Sequence, residues 1–176
     1  MRLFVALDLP EALLGSLSAL LTQLRPLARL SWSSAANLHV TTKFIGDWPE
    51  KRLGELVGAL RAMPRRGPLM VELNGLGWLP NPHSPRMFWA AVKSEALKAL
   101  AQATAEATSA LGVASETRDF HPHLTLARIK DRVDLAPLRL GVARLESVAF
   151  GEFEARSQFL YLSKNSVYTK LEEFPL

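Results

Sequence analysis

The chain has 176 residues, a length that suits one compact domain or two small lobes sharing a core. Apolar residues make up 48% and charged residues 22%, as is typical of globular proteins, and no apolar run approaches the roughly 20 residues of a membrane span. The absence of cysteine excludes disulfides, thiolate catalysis and cysteine-bound zinc, and is compatible with the cytoplasmic location that we predict. A formal net charge of +4 favours anionic partners such as nucleotides or RNA.

The first half of the chain predicts alternating strands and helices. Alternation over 2–8 predicts a central strand in which Phe4 and Ala6 share one face. Pro10 opens a helix of regularly spaced leucines that Pro26 ends. The other elements predicted for this half are an extended piece at 30–34, strands at 38–45 and 69–76, and a helix beginning at 49–50.

Three prolines within 80–85 mark a connector, which is the best candidate boundary between two halves. The elements predicted beyond it are an alanine-rich helix from 94 to 112 and strands at 87–92, 121–129, 143–150, 158–163 and 167–170. No element is assigned to 131–140, which is short and interrupted by proline, although a short helix there would match the first half.

This order predicts an α+β fold with two pseudo-symmetric lobes. Each lobe would be an antiparallel sheet with helices on its outer face, and the open faces would meet at a central cleft. We expect one domain over 1–176, with lobes near 1–80 and 86–176 and allowance for exchanged terminal strands.

Two copies of a short motif dominate the sequence. His39 and Thr41 form one His-x-Thr within an apolar run, and His123 and Thr125 form the other, 123 − 39 = 84 residues later. Residues i and i+2 of a strand share a face, so each motif directs an imidazole and a hydroxyl to the same side. If the two strands line one cleft, two imidazoles and two hydroxyls converge there.

That constellation predicts acid/base chemistry at phosphorus. One neutral imidazole can take a proton from water, and a second, protonated one can give a proton to a leaving alkoxide. The two threonine hydroxyls can donate hydrogen bonds to phosphoryl oxygens as charge builds. A 2′,3′-cyclic phosphate suits this apparatus, because it is a strained diester with an internal leaving group. The simpler alternative for each motif is a strand histidine satisfied within the core.

The motifs and their surroundings resemble a known family. The matching segments are the opening Arg-Leu-Phe-Val-Ala-Leu, the first motif with its flanks at 37–46, the second at 118–128, and the ending at 167–176. On these segments the chain resembles the 2H phosphoesterase superfamily, and within it the bacterial and archaeal RNA 2′,3′-cyclic phosphodiesterases formerly called 2′-5′ RNA ligases. Thr42 stands where a larger aliphatic is usual, a departure that we expect to affect packing only.

The resemblance implies a bilobal α+β fold and metal-independent hydrolysis, and we predict a monomer that needs no cofactor. Its substrate would be RNA with a 2′,3′-cyclic phosphate end, or a cyclic nucleotide, and its product a 2′-phosphate. By analogy His123 is the base and His39 the acid. The reverse reaction, 2′-5′ ligation, would be disfavoured in water.

Further substrate contacts are predicted at four positions. Arg128 resembles the arginine that closes the second motif, Phe44 could stack on a base, and Arg118 and Arg86 could add positive potential. Strict alternation, however, places residues 44 and 128 on the face opposite their histidines unless the strands bulge. The same alternation places Lys43 on the face of His39.

Other functions stay open at this point. Asp119, His121 and His123 lie at i, i+2 and i+4, the spacing of half a metal site, although Pro122 argues against a regular strand there. The alternatives are therefore a metal-dependent hydrolase, a non-catalytic module that binds RNA ends, and a related 2H enzyme acting on another cyclic phosphate or on a 2′-5′ linkage.

Overall fold

The computed structural model of the protein describes residues 1–114 and 120–176, which contain nine strands and four α-helices. The strands are β1 Arg2–Leu7, β2 Ser31–Trp32, β3 Val40–Asp47, β4 Leu69–Leu79, β5 Met87–Lys93, β6 His123–Arg128, β7 Ala149–Ala155, β8 Ser157–Lys164 and β9 Val167–Pro175. The helices are α1 Glu11–Leu24, α2 Leu53–Arg61, α3 Glu95–Ser109 and α4 Ala136–Ala143.

The strands form two antiparallel sheets. The first has four strands in the order β3-β1-β8-β9, and the second has five in the order β2-β6-β5-β4-β7. Each sheet therefore combines strands from both halves of the sequence. The α+β fold with two antiparallel sheets is confirmed, whereas the lobe boundaries near 80 and 86 stay a prediction.

Helices cover the outer face of each sheet because their leucines recur on one side. The apolar stripe of α1, including Leu17 and Leu21, packs in one core with residues of the second sheet such as Phe88 and Leu124. A smaller core lies behind the first sheet, where Leu56 of α2 contributes to the cluster.

The opposite faces of the two sheets carry the motifs. Residues of β1 alternate, so that Leu3 and Val5 enter the smaller core while Phe4 and Ala6 face the other way. Thr41 pairs with Ala6, and in the second sheet Thr125 pairs with Trp89. β3 and β6 also contact one another, which brings the two motif-bearing faces to one central cleft.

Two predicted elements are wrong in detail. The strand predicted at 143–150 begins only at Ala149, because α4 extends to Ala143. Pro137 lies in the first turn of α4, where a proline costs no hydrogen bond, so it starts this helix rather than breaking it. The second motif strand begins at His123, two residues later than predicted.

Within 1–114 and 120–176, none of the helices combines the length and the apolar character needed to cross a membrane.

Candidate active site

His39 lies immediately before β3, enclosed by aromatic rings. Its imidazole stacks on Phe4, with the ring centroids 4.7 Å apart at 30°, and Tyr168 meets its edge at 5.2 Å. Nδ1 of His39 lies 2.6 Å from the carbonyl oxygen of Asn37. A carbonyl only accepts, so Nδ1 carries the proton and Nε2 is left for the cleft.

His123 repeats this arrangement at the start of β6. Its Nδ1 lies 2.7 Å from the carbonyl oxygen of His121, again two residues upstream. The only ring against it in the described part of the chain is Trp89, which meets it edge-on at 6.2 Å. Both imidazoles thus donate through Nδ1 and present Nε2, but His39 is the more enclosed of the two.

Burial lowers the pKa of His39 below its ordinary value of 6.5, because a charged imidazole is poorly solvated among the rings. The hydrogen bond to Asn37 and the negative charge of Asp8 act in the opposite direction. Positive charge on His123 and on Arg128 lowers the pKa further. His123 and Arg128 therefore lie close enough to His39 to influence its protonation.

A β-bulge follows each His-x-Thr. In β3, Lys43 pairs with Val5 and Thr41 pairs with Ala6, so Thr42 is the extra residue. In β6, Ala127 pairs with Phe88 and Thr125 with Trp89, so Leu126 is extra. The two motifs therefore share a backbone irregularity at the same position.

The bulges reverse the sheet face that alternation predicts for the residues that follow them. Arg128 pairs with Met87, which shares a face with Trp89, and so points to the same side as Thr125. Phe44 pairs with Phe4, its side chain is 53% exposed, and the two rings lie 6.4 Å apart. Both residues therefore lie on the side of the cleft, as the exception made for bulged strands allows, because a bulge resets the alternation.

The same bulge in β3 turns Lys43 away from the cleft. Lys43 is 3% exposed and its Nζ donates to the carbonyl of Ala114 at 2.8 Å on the opposite face. The prediction that Lys43 shares a face with His39 is therefore wrong.

Thr42 does more than fill space. Its buried hydroxyl lies 3.1 Å from the carbonyl oxygen of Val5 and 3.4 Å from Oε1 of Gln158. Gln158 is also buried and accepts from Thr104 at 3.3 Å. The expectation that a threonine at position 42 affects packing only is wrong, since its hydroxyl supplies a donor at the bulge.

The hydroxyl of the second motif is weakly engaged. Among the described residues, the acceptor of the Thr125 hydroxyl is the sulfur of Met87 at 3.4 Å, a poor one. Its backbone carbonyl accepts from the hydroxyl of Ser33 at 2.9 Å, and the amide of Ser33 donates to the carbonyl of Leu126 at 2.8 Å. Ser33 thus holds the backbone of the second bulge while leaving the hydroxyl of Thr125 able to reorient.

Comparison with known proteins decides the family. The sequence matches the family described as LigT like Phosphoesterase over residues 7–89 and 91–165. It is 32% identical to an RNA 2′,3′-cyclic phosphodiesterase of Archaeoglobus fulgidus, with 99% of each chain covered. A second relative of that name, from Thermus thermophilus, is 31% identical, and the match covers 100% of this chain and 90% of the relative.

The chain belongs to the LigT-like phosphoesterase family.

Solved structures agree with this assignment. A structure from Thermus thermophilus is 31% identical, superposes with a TM-score of 0.82, and covers 100% of this chain and 98% of its own. Escherichia coli LigT in complex with 3′-AMP has a TM-score of 0.80 at 23% identity, covering 99% and 97%, and this likeness concerns the fold alone. The resemblance to 2H phosphoesterases is therefore confirmed, and the chain is an enzyme of this family.

The remaining two predicted contacts of this LigT-like phosphoesterase are arginines. Arg86 is exposed and precedes β5 by one residue. Arg118 lies outside the described residues. Substrate contacts from either arginine stay predictions.

The metal alternative gains no support from the described residues, which contain no cluster of three or more metal-binding side chains. Asp119 lies outside the described residues. His121 is exposed ahead of β6, so it does not share the strand geometry assumed for a half-site.

Sequence reasoning misses the residues that enclose His39. Alternation places Phe4 on a strand face, but no local pattern links Tyr161, Tyr168 and Asp8 to the motif. The turn at 164–166 predicts that Tyr168 pairs opposite Ser163, beside Tyr161. What the sequence could not supply is that β8 pairs with β1 and so delivers these rings to Phe4.

Proposed function

We propose that this protein hydrolyses 2′,3′-cyclic phosphates of RNA ends or nucleotides to 2′-phosphates by two-histidine acid/base catalysis. One observation carries the proposal. Both His39 and His123 donate through Nδ1 to the carbonyl two residues upstream, which leaves Nε2 of each ring for proton transfer. The curated relatives named RNA 2′,3′-cyclic phosphodiesterase support the choice of substrate.

The proposed reaction needs one neutral and one protonated ring. Nε2 of His123 accepts a proton from water, whose oxygen attacks phosphorus in line with the 3′-oxygen. The bond from phosphorus to the 3′-oxygen breaks, and that oxygen receives the proton from Nε2 of His39. The products are a 2′-phosphate and a free 3′-hydroxyl, and proton exchange with solvent restores both rings.

The protonation of His39 fits this sequence of events once substrate is bound. Burial favours the neutral ring in the free protein, but an anionic phosphate raises the pKa of a neighbouring imidazole. Substrate binding would therefore help to charge the acid.

Other residues of the cleft would stabilise the transition state and hold the substrate. The hydroxyls of Thr41 and Thr125 would donate to the non-bridging phosphoryl oxygens, and Arg128 would add positive charge. The exposed ring of Phe44 offers a surface on which a base can stack. The 2′-5′ ligation would follow the same steps with a 5′-hydroxyl in place of water as the nucleophile, and would require that water be outcompeted.

A substrate panel tests the proposal. The purified protein is incubated with a 2′,3′-cyclic nucleotide, a 3′,5′-cyclic nucleotide and a 2′-5′-linked dinucleotide, and the products are resolved by ³¹P NMR. We expect turnover of the 2′,3′-cyclic compound to the 2′-phosphate alone. Exclusive turnover of either other compound would establish a related 2H activity instead, and tight binding without turnover would establish a binding module.

A further inference from the structure

His39 is the end member of a stack of three rings. Tyr161 stacks on Phe4 with centroids 5.2 Å apart at 11°, and Phe4 stacks on His39 at 4.7 Å. Tyr168 closes the side of the stack, with its ring 5.0 Å from Phe4 and 5.2 Å from His39. The plane of the imidazole is therefore set by Phe4, and the plane of Phe4 by Tyr161.

Tyr161 is itself held at its far end. Its hydroxyl donates to Asp8, whose other carboxylate oxygen pairs with Lys170. Lys170 also lies over the ring of Phe159, 3.9 Å from its centroid. Burial and the neighbouring Asp8 raise the pKa of the Tyr161 hydroxyl, so it remains a protonated donor.

A second set of hydrogen bonds links the same hairpin to His39. The turn between β8 and β9 has positive φ at Asn165 (52°) and Ser166 (62°), as a tight hairpin turn requires. The carbonyl of Ser166 accepts from the side-chain amide of Asn37 at 2.7 Å. The carbonyl of Asn37 is the group that orients Nδ1 of His39.

We propose that Tyr161 is a positioning residue for His39, and that the β8–β9 hairpin, fastened by Asp8 and Asn37, fixes the plane of this imidazole in the cleft. Tyr161 does not touch the substrate in this account; its ring centroid lies 6.3 Å from that of His39, and it acts through Phe4. His123 has only Trp89 edge-on against it in the described residues, so the ring stack orients one histidine of the two. The expected effect on kcat rests on the proposed function, whereas the expected effect on the orientation of His39 does not.

The test compares Tyr161→Leu with Tyr161→Phe. The leucine variant removes the stacked ring, whereas the phenylalanine variant keeps the ring and loses only the bond to Asp8. We expect kcat to fall about 10-fold or more in Tyr161→Leu with KM little changed, because a misplaced acid slows chemistry more than binding. Tyr161→Phe should recover part of that loss.

The decisive readout is ¹⁵N NMR of the two imidazoles. In Tyr161→Leu the His39 signals should shift and titrate nearer the ordinary value, because water reaches the ring, while those of His123 stay in place. The charged groups that influence His39 are Asp8 on the β1 side and His123 and Arg128 across the cleft, and Tyr161→Leu retains all three.

Ser157→Ala is the matched control. It removes the hydroxyl that donates to Glu173 at 2.7 Å across the same hairpin, away from the stack, and should change neither kcat nor the imidazole signals.

Wild-type kcat and unchanged His39 signals in folded Tyr161→Leu would overturn the proposal, as would equal shifts of both histidines. If Tyr161→Leu does not fold, Tyr161→Phe decides: we expect a kcat loss of about 2-fold to 5-fold with a His39-specific shift, and absence of that shift overturns the proposal. The NMR readout needs no turnover, so failure of this inference is separable from failure of the proposed reaction.

Discussion

Each histidine of the cleft is oriented by the backbone immediately before it. Asn37 and His121 each offer a carbonyl to Nδ1, and this fixes the tautomer without any further side chain. The two rings then differ only in their surroundings. His39 is enclosed by Phe4 and Tyr168, and this burial lowers its pKa below that of an exposed imidazole.

The lowered pKa of His39 makes stability depend on pH. Between the folded pKa and the ordinary value of 6.5, the unfolded chain binds more protons at this residue than the folded chain. The free energy of unfolding should therefore rise with pH through this window. The contribution of His39 to stability should be lost as the pH falls below about 6.5. Urea unfolding measured at about pH 5.5 and pH 7.5 should show this loss in the wild type and a smaller loss in His39→Gln. An equal or larger loss in His39→Gln would contradict the assignment.

The motif hydroxyls provide a second prediction for single residues. Thr41→Val and Thr125→Val keep the side-chain shape and remove one donor each. We expect kcat for a 2′,3′-cyclic nucleotide to fall roughly 100-fold in each variant with a smaller change in KM, because the donors act on charge that develops in the transition state. Steady-state kinetics with a matched Thr22→Val variant, whose hydroxyl lies on an exposed helix, provides the check. Unchanged kcat in both motif variants would remove the hydroxyls from the mechanism.

At the level of elements, the two bulges decide which side chains reach the cleft. Alternation correctly places the imidazole and hydroxyl of each motif on one side, because these residues precede the bulge. It fails at Phe44 and Arg128, which follow it. A bulge depends on which strand is paired and in what register, and this information lies in residues far along the chain.

The first bulge should be stabilised by the hydroxyl of Thr42. Thr42→Val is nearly isosteric, but it leaves the carbonyl of Val5 and Oε1 of Gln158 without this donor. We expect the free energy of unfolding to fall by about 1 kcal/mol, measured by urea titration. Thr22→Val, at an exposed helix position, should change it by less than about 0.5 kcal/mol. Equal effects of the two substitutions would argue that the hydroxyl of Thr42 contributes nothing beyond its position in a strand.

Helices and strands with a clear hydrophobic periodicity were predictable from the local sequence, whereas the pairing of the strands was not. α1 lies between Pro10 and Pro26 as its leucine spacing predicts. The failure over 143–150 arises because α4 is short and its Pro137 suggests a break, although that proline sits in the first turn. The enclosure of His39 was equally hidden, because it depends on the pairing of β8 with β1.

On the scale of the whole molecule, the proposed chemistry uses only protein side chains. We expect hydrolysis of a 2′,3′-cyclic nucleotide to be unaffected by prolonged dialysis against a strong chelator, and unaffected by adding Mg²⁺, Mn²⁺ or Zn²⁺ at low concentration afterwards. Metal analysis of the purified protein accompanies the assay. Loss of activity in chelator with recovery on one metal would instead establish the metal-dependent alternative.

The convergence of two sheets on one cleft predicts that two distant histidines act as a pair. Initial rates on a 2′,3′-cyclic nucleotide should therefore be compared for the wild type, His39→Ala, His123→Ala and the double variant, with circular dichroism to verify folding. We predict that each single substitution reduces kcat by at least about 100-fold, and that the double substitution costs little more than either, because residues acting as a unit are not additive. A folded single variant that retains the wild-type rate would contradict the account.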